Sequence, residues 1–230
     1  FLGDRCIHGR SRTRNCGRCL EVCPFGAVQS KARSISINHY LCQGCGGCAL
    51  VCPTEAIRRV QPSTEELLNM LSDKLKNRSE GDGYPPVLVI SGGETPDGNS
   101  RVGAGEKTAD GTGRLEVEQI GHVGLELLLA AVAAGAGGVV VVCGPQDPPT
   151  IRKAVERQVR MAGAIVQGFG MPEDKIRFAV VPPENSDIPY AGFPAVGPAA
   201  LPGDCSLPVF SPVPDRRTLI RLETEHLADR

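Results

Sequence analysis

The sequence predicts two units of different class: an α+β unit organised by cysteines over residues 1–60, and a small α/β unit with a mainly parallel sheet over residues 85–181. Three observations predict this. Eight of the ten cysteines lie within the first 52 residues. Seven of those cysteines fit two copies of one spacing pattern. Beyond residue 85, β-branched runs alternate with stretches of helical periodicity, the signature of a parallel sheet with crossover helices. Apolar residues make up 41% and charged residues 22% of the 230, as in an ordinary soluble globular chain.

The repeat is explicit. Cys16-Gly17-Arg18-Cys19-Leu20-Glu21-Val22-Cys23-Pro24-Phe25-Gly26-Ala27-Val28 matches, 29 positions later, Cys45-Gly46-Gly47-Cys48-Ala49-Leu50-Val51-Cys52-Pro53-Thr54-Glu55-Ala56-Ile57, with seven of thirteen positions identical. Between the copies, residues 34–38 alternate apolar and polar and predict a short strand. Residues 61–84 form a helix and linker: Ser63 caps the helix, Glu66 completes a capping box, and Leu67, Leu68, Met70, Leu71 and Leu75 supply its apolar face.

In the second unit, residues 87–90 read as a buried strand, and residues 92–114 as a loop rich in Gly, Asp and Thr. A further strand over 115–120 is followed by a helix over 122–134, a strand over 139–143, a helix over 150–169 and a strand over 176–181. Residues 127–144 are 18 positions without a charge, at the lower limit for a membrane span. Gly135, Gly137 and Gly138 interrupt them, so a helix, a glycine turn and a buried strand fit better than a span. Residues 182–215 hold nine prolines and read as an extended linker. An amphipathic helix then begins at residue 216, with Leu219, Ile220, Leu222 and Leu227 as its apolar set.

Charge is divided as unevenly as cysteine. Residues 1–60 carry nine Lys/Arg against three Asp/Glu, whereas the rest carry 16 against 23. Basic residues around Arg10, Arg12, Arg14 and Arg18 are read as offsetting the negative charge of whatever the thiolates hold, rather than as a nucleic-acid site. With six Phe, three Tyr and no Trp, there is little material for a base-stacking surface. The first residues lack the apolar stretch of a secretory signal, and no Met starts the chain, which reads as processed or as a piece of something longer. A disulfide framework would spread its cysteines over a short secreted chain, so this asymmetry points to metal.

The run Cys42-x2-Cys45-x2-Cys48-x3-Cys52-Pro53 has the bacterial iron–sulfur spacing. On this run and its repeat, residues 1–60 resemble the two-cluster bacterial-type ferredoxins, which implies an α+β ferredoxin-like dicluster domain. The resemblance implies cross-ligation of two [4Fe-4S] clusters: one held by Cys42, Cys45, Cys48 and Cys23, the other by Cys16, Cys19, Cys52 and a further ligand. It also implies that the proline after each fourth cysteine starts a helix. The further ligand is where the sequence departs from the pattern. The repeat register puts Thr13 in its place, and nine residues separate Cys6 from Cys16. Return of Cys6 through a loop over residues 7–15 is the favoured completion; a [3Fe-4S] cluster and ligation by His8 are the alternatives. A zinc site would pair separated knuckles, which the proline-terminated run does not resemble. Such clusters carry single electrons, and Arg14, Arg18, Arg58 and Arg59 are expected to raise their potential. Ile7, Leu20, Val22, Val28, Ile35, Ile37 and Ile57 are expected to pack around them.

Outside the repeat, Cys143 reads as a small buried hydrophobe at a strand end, Cys205 as an idle thiol, and His39 as a hairpin surface residue. The four His share no metal-binding spacing. Residues 103–108 resemble a phosphate-binding loop, but Glu106 stands where glycine should precede Lys107; Gly135-Ala136-Gly137-Gly138 precedes a strand instead of following one. Both read as turns, and no small-molecule substrate is identified.

The second unit, through residues 122–131, 135–140 and 158–169, resembles the α/β region of bacterial 4Fe-4S proteins associated with formate dehydrogenases. It resembles more distantly the delta subunit of the methyl-viologen-reducing hydrogenase–heterodisulfide reductase system. Cysteines of that delta family hold a [2Fe-2S] cluster here; only Cys143 is comparable, so that cluster is not carried over. These readings together imply a cytoplasmic, non-catalytic electron-transfer protein or subunit, docking to a redox partner protein or enzyme complex, without nucleic acid and without a membrane span. The alternative is a maturation or regulatory factor with structural or redox-sensing clusters. An enzyme working at the glycine-rich loop is disfavoured, because no activated nucleophile or base is visible.

Overall fold

The computed structural model describes residues 1–8, 16–32, 34–76, 87–93, 113–181 and 215–228. Most of the glycine-rich stretch 92–114, the phosphate-loop resemblance at 103–108, nearly all of the proline-rich stretch 182–215, Cys205 and the arginines at 10, 12 and 14 lie outside these residues.

The cysteine-bearing unit has little regular structure. Helix α1 (Arg18–Val22) and helix α2 (Gly47–Leu50) are single helical turns, one in each repeat. Between them, strands β1 (Val28–Lys31) and β2 (Ser34–Ile37) pair antiparallel, with Val28 opposite Ile37. The spacing over 34–38 found β2; β1 lacked alternation, because only Val28 of its four residues is buried. The prolines do not start helices. Both helical turns end before the Cys-Pro pair, and Cys23 is extended (φ −73°, ψ 109°), since a following proline disfavours the helical region. Helix α3 (Thr64–Lys76) begins with the expected capping box: the Ser63 amide donates to Glu66 Oε2 at 2.6 Å, and the Glu66 amide donates to Ser63 Oγ at 3.1 Å.

The second unit is a four-stranded, wholly parallel sheet in the order β4-β3-β5-β6, made of β3 (Val87–Gly92), β4 (Gly113–Val117), β5 (Gly138–Cys143) and β6 (Ile176–Val180). Helix α4 (Leu125–Ala133) links β4 to β5, and helix α5 (Pro149–Gly168) links β5 to β6. Every residue of α4 is buried. A helix apolar on all sides needs cover on all sides; the sheet, α3, α5 and helix α6 (Arg216–Ala228) supply it. That is why the charge-free stretch turns inward: α4, a turn at Gly135 (φ 88°), then β5. Among the described residues no helix is long and apolar enough to cross a membrane. Residues Ile120–His122 form a short 3₁₀ turn instead of the first turn of α4, because Gly124 is extended at the helix start.

One core runs through both units. Val22 and Leu50 of the cysteine unit join Leu88, Ile90, Leu115, Leu129 and Val141 in the same buried cluster. The opposite face of the sheet carries a smaller cluster of Val89, Val140, Val142 and Val181. Main-chain contacts reinforce the seam. Thr150 Oγ1 donates to the Val22 carbonyl at 2.8 Å, and Arg59 Nη1 to the His122 carbonyl at 3.3 Å.

Helix α6 brings one titratable group into this core. Glu223 is 1% exposed, and its pKa rises to about 9, first through burial and then through the neighbouring Glu126 carboxylate. Glu126 in turn is held by Arg216 Nε at 2.7 Å. The folded chain therefore keeps a proton on Glu223 that the unfolded chain loses near the ordinary value of 4.5. Across that window the native state binds more protons, so its stability falls as pH rises. Urea unfolding at about pH 5.5 and about pH 8.5 should show a lower midpoint at the higher pH, and Glu223→Gln should flatten most of that difference.

Candidate metal centre

The eight cysteines of the repeat region are free thiols with no disulfide among them, and Cys143 is a free thiol as well. Their environment sorts the eight into two groups. Burial pushes the Cys19 thiol up to about 11, and the nearby thiols of Cys16, Cys52 and Cys6 push in the same direction. Cys48 is pushed up to about 12 by burial and then by Cys45, Cys42 and Cys23. Cys45 is raised by burial, with Cys23 and Cys42 adding to it. One group is thus Cys6, Cys16, Cys19 and Cys52; the other is Cys23, Cys42, Cys45 and Cys48. Each borrows its fourth thiol from the opposite copy of the repeat.

Local backbone explains the arrangement. In the Cys42–Cys48 loop, Gly44 (φ 69°) and Gly46 (φ 75°) take the left-handed conformation that side chains resist. The turn aims backbone amides at sulfur: the Gly47 N–H favours the Cys45 thiolate, and the Ala49 N–H the Cys48 thiolate. Both act against the effect of burial. At the N-terminus the Leu2 amide donates to the Ala56 carbonyl at 2.6 Å, and Cys6 closes the Gly3–Arg5 turn by donating to the Gly3 carbonyl at 3.2 Å. Cys6 is 9% exposed, in a cluster with Cys19, Ala56 and Ile57.

The set of donors fits an iron–sulfur cluster better than a single ion. Among the described residues no group of three or more His, Cys, Asp or Glu could hold one metal ion. A cubane spreads its ligands around eight atoms, so its thiols stand farther apart than those around one ion. The thiols of Cys19, Cys45 and Cys48, raised by burial and by neighbouring thiols, would be stabilised as anions by a cationic core. His8 is already engaged: Nδ1 lies 2.6 Å from the Cys16 carbonyl and Nε2 lies 2.8 Å from Ser30 Oγ. A carbonyl can only accept, so Nδ1 carries a proton and donates to it.

Of the side chains expected to pack around the cysteines, Val28, Ile35 and Ile57 are buried in the cluster with Cys6 and Cys19, with Leu20 and Ile37 against it. Val22 belongs to the larger core instead. Ile7 is 37% exposed: it follows the Gly3–Arg5 turn with its side chain outward, so the expectation that it shields the centre is corrected. Arg58 is engaged with Glu55 at 3.0 Å, and Arg59 Nε with the Pro62 carbonyl at 2.7 Å. Cys143 is fully buried in the main core. His39 is exposed against Tyr40, their rings 4.0 Å apart.

Two residues of the second unit that spacing did not reveal close over the cysteine loop. His122 is 1% exposed against Gly46, and its pKa falls to about 4, through burial first and the Arg59 cation second. The ring is therefore neutral. Gly121 is closer still: a Cβ there would stand 2.1 Å from the Cys45 carbonyl oxygen. The signal was a glycine-histidine pair with no helical or strand role, legible only once the loop it touches is known. Gly121→Ala must displace backbone and should cost about 1–3 kcal/mol in chemical denaturation. Gly163→Ala, inside α5 with nothing within 4 Å of the new Cβ, should be neutral or stabilise by up to about 1 kcal/mol.

Comparison with known proteins agrees with this geometry. Residues 14–57 match the family model of the 4Fe-4S dicluster domain. No curated protein and no solved structure matches the chain. Over these residues the N-terminal unit is similar to ferredoxin-type dicluster domains, a likeness that suggests iron–sulfur electron transfer.

Proposed function

We propose that the protein is a cytoplasmic electron carrier or non-catalytic redox subunit holding two [4Fe-4S] clusters. Cys23, Cys42, Cys45 and Cys48 would hold one, and Cys6, Cys16, Cys19 and Cys52 the other. The observation that carries this reading is the exchange of Cys23 and Cys52 between the two repeats, each thiol placed with the opposite group. When bound, such a cluster takes up and gives back one electron. The chain's own residues hold the sulfur donors, direct the Gly47 and Ala49 amides at two of them and exclude water with Val28, Ile35 and Ile57. Hydrogen bonds to sulfur and restricted solvent access are the levers that set such potentials.

Cys6 is preferred over His8 as the eighth ligand, because both His8 nitrogens are occupied. The resemblance of the α/β unit supports a partner system of the formate dehydrogenase or hydrogenase kind, with that unit as scaffold.

Anaerobically prepared protein should contain about eight iron and about eight acid-labile sulfide per chain. After dithionite reduction its EPR spectrum should show two interacting S = 1/2 centres. Cys52→Ser should alter one centre and Cys23→Ser the other, each leaving its counterpart intact. A single cluster would favour a structural or maturation role, and a [3Fe-4S] signal in unoxidised protein would remove Cys6 from the ligand set.

A further inference from the structure

A groove of about 720 Å³ runs where α1, α2, α5 and α6 meet, and Cys52 is among its lining residues. Its walls carry six cations, Arg216 and five more: Arg18 from α1, Lys153, Arg157 and Arg160 from α5, and Arg217 from α6. All five are exposed. Their side chains make no ion pair or hydrogen bond among the described residues, unlike those of Arg58, Arg177 and Arg221. The three on α5 fall at i, i+4 and i+7, a straight stripe on the helix face opposite Ile151, Val155, Val159 and Ala162. Against them stand two carboxylates: Glu55, committed to Arg5 and Arg58, and Glu21. The floor is apolar, with Val51, Leu125, Met161 and Ile220.

We propose that this groove is the docking surface for the acidic face of a redox-partner protein, which exchanges electrons with the centre that Cys52 helps to hold. This rests on the relay reading above. Charge decides the class of partner. Uncompensated exposed cations around an apolar floor match the polar rim and apolar centre of a transient protein interface, and rim charges chiefly steer encounter. A small anion would need buried donors aimed inward. The least exposed of the lining cations, Arg216, has already spent Nη1 on the Leu50 carbonyl, Nη2 on Gln158 and Nε on Glu126. A single strand of nucleic acid would need stacking aromatics, and none lines the groove among the described residues. Position supports the same choice, because electron transfer weakens steeply with distance and Cys52 brings its centre to the groove wall.

The test uses the full-length, cluster-loaded chain, reduced with dithionite and desalted anaerobically. Electron transfer to an acidic flavodoxin and to neutral benzoquinone is followed by stopped flow. The flavodoxin rate should fall at least about tenfold between about 20 mM and about 500 mM salt. The triple variant Lys153→Glu, Arg157→Glu, Arg160→Glu should lose about tenfold toward flavodoxin at low salt, with the quinone rate and EPR spectrum unchanged. Arg217→Glu, on a different helix, should act in the same direction should the triple variant not fold. Lys74→Glu on α3 should change neither rate.

A flavodoxin rate indifferent to both reversals, with quinone still reduced, overturns the docking proposal and spares the relay. Saturable inhibition by micromolar ATP or inorganic phosphate assigns the groove to a small anion and overturns it. So does tighter salt-dependent binding of a DNA duplex than of flavodoxin. Failure to reduce even the quinone overturns the relay reading and the docking proposal with it.

Discussion

A unit of about sixty residues buries only about 60% of the surface its unfolded chain exposes, so its stability on its own is marginal. Here it has two single-turn helices and one four-residue ribbon to work with. The constraint that shapes the rest of the molecule is therefore the seam between this unit and the α/β unit. The seam works through backbone. Gly121 lets the Cys45 carbonyl approach to a distance no Cβ would permit, and Gly47 leaves room for Ile151. Thr150 and Arg216 donate to the carbonyls that close α1 and α2. Single-turn helices leave almost all their carbonyls without an internal partner. The neighbouring unit supplies two of those partners.

Electrostatics adds a second demand. Thiols gathered and buried resist ionisation, as the raised values at Cys19 and Cys48 show. Glycine-turned amides offset part of that cost, and a cationic cluster core would offset more. The overall charge of −1 conceals this local economy: cations concentrate around the cysteines, and the acidic excess lies elsewhere. Some cations are consumed internally, such as Arg59 at the His122 carbonyl. Those on the outer face of α5 are not.

What the sequence disclosed followed from how local each signal was. The capping box at Ser63 and Glu66 and the helix–turn–strand reading of residues 127–144 depend on neighbours a few positions apart, and the structure has both. Strand β1 escaped notice because it lies on a ribbon with one buried residue, so it has no alternation to detect. The proline rule misled because the same residue can open a helix or forbid its continuation, and here Cys23 is pushed out of the helical region. Cys6 lies outside the repeat register, which holds Thr13 at that position, and its neighbours Ala56 and Ile57 come from the other end of the unit. His122, Gly121 and Arg216 act at long range, and no periodicity reports that.

Arg216 shows what such long-range action implies. Its guanidinium spans α2, α4 and α5 at once, and its own amide donates to Glu55 at 2.7 Å, 161 positions earlier. Were the cysteine unit to come away, the same movement would strip Arg216 of two partners and loosen its hold on the buried Glu126. The start of the C-terminal helix thus acts as a rivet through three layers. Any stabilisation that a cluster would bring to the thiols is thereby linked, through Arg216, to the last helix of the chain.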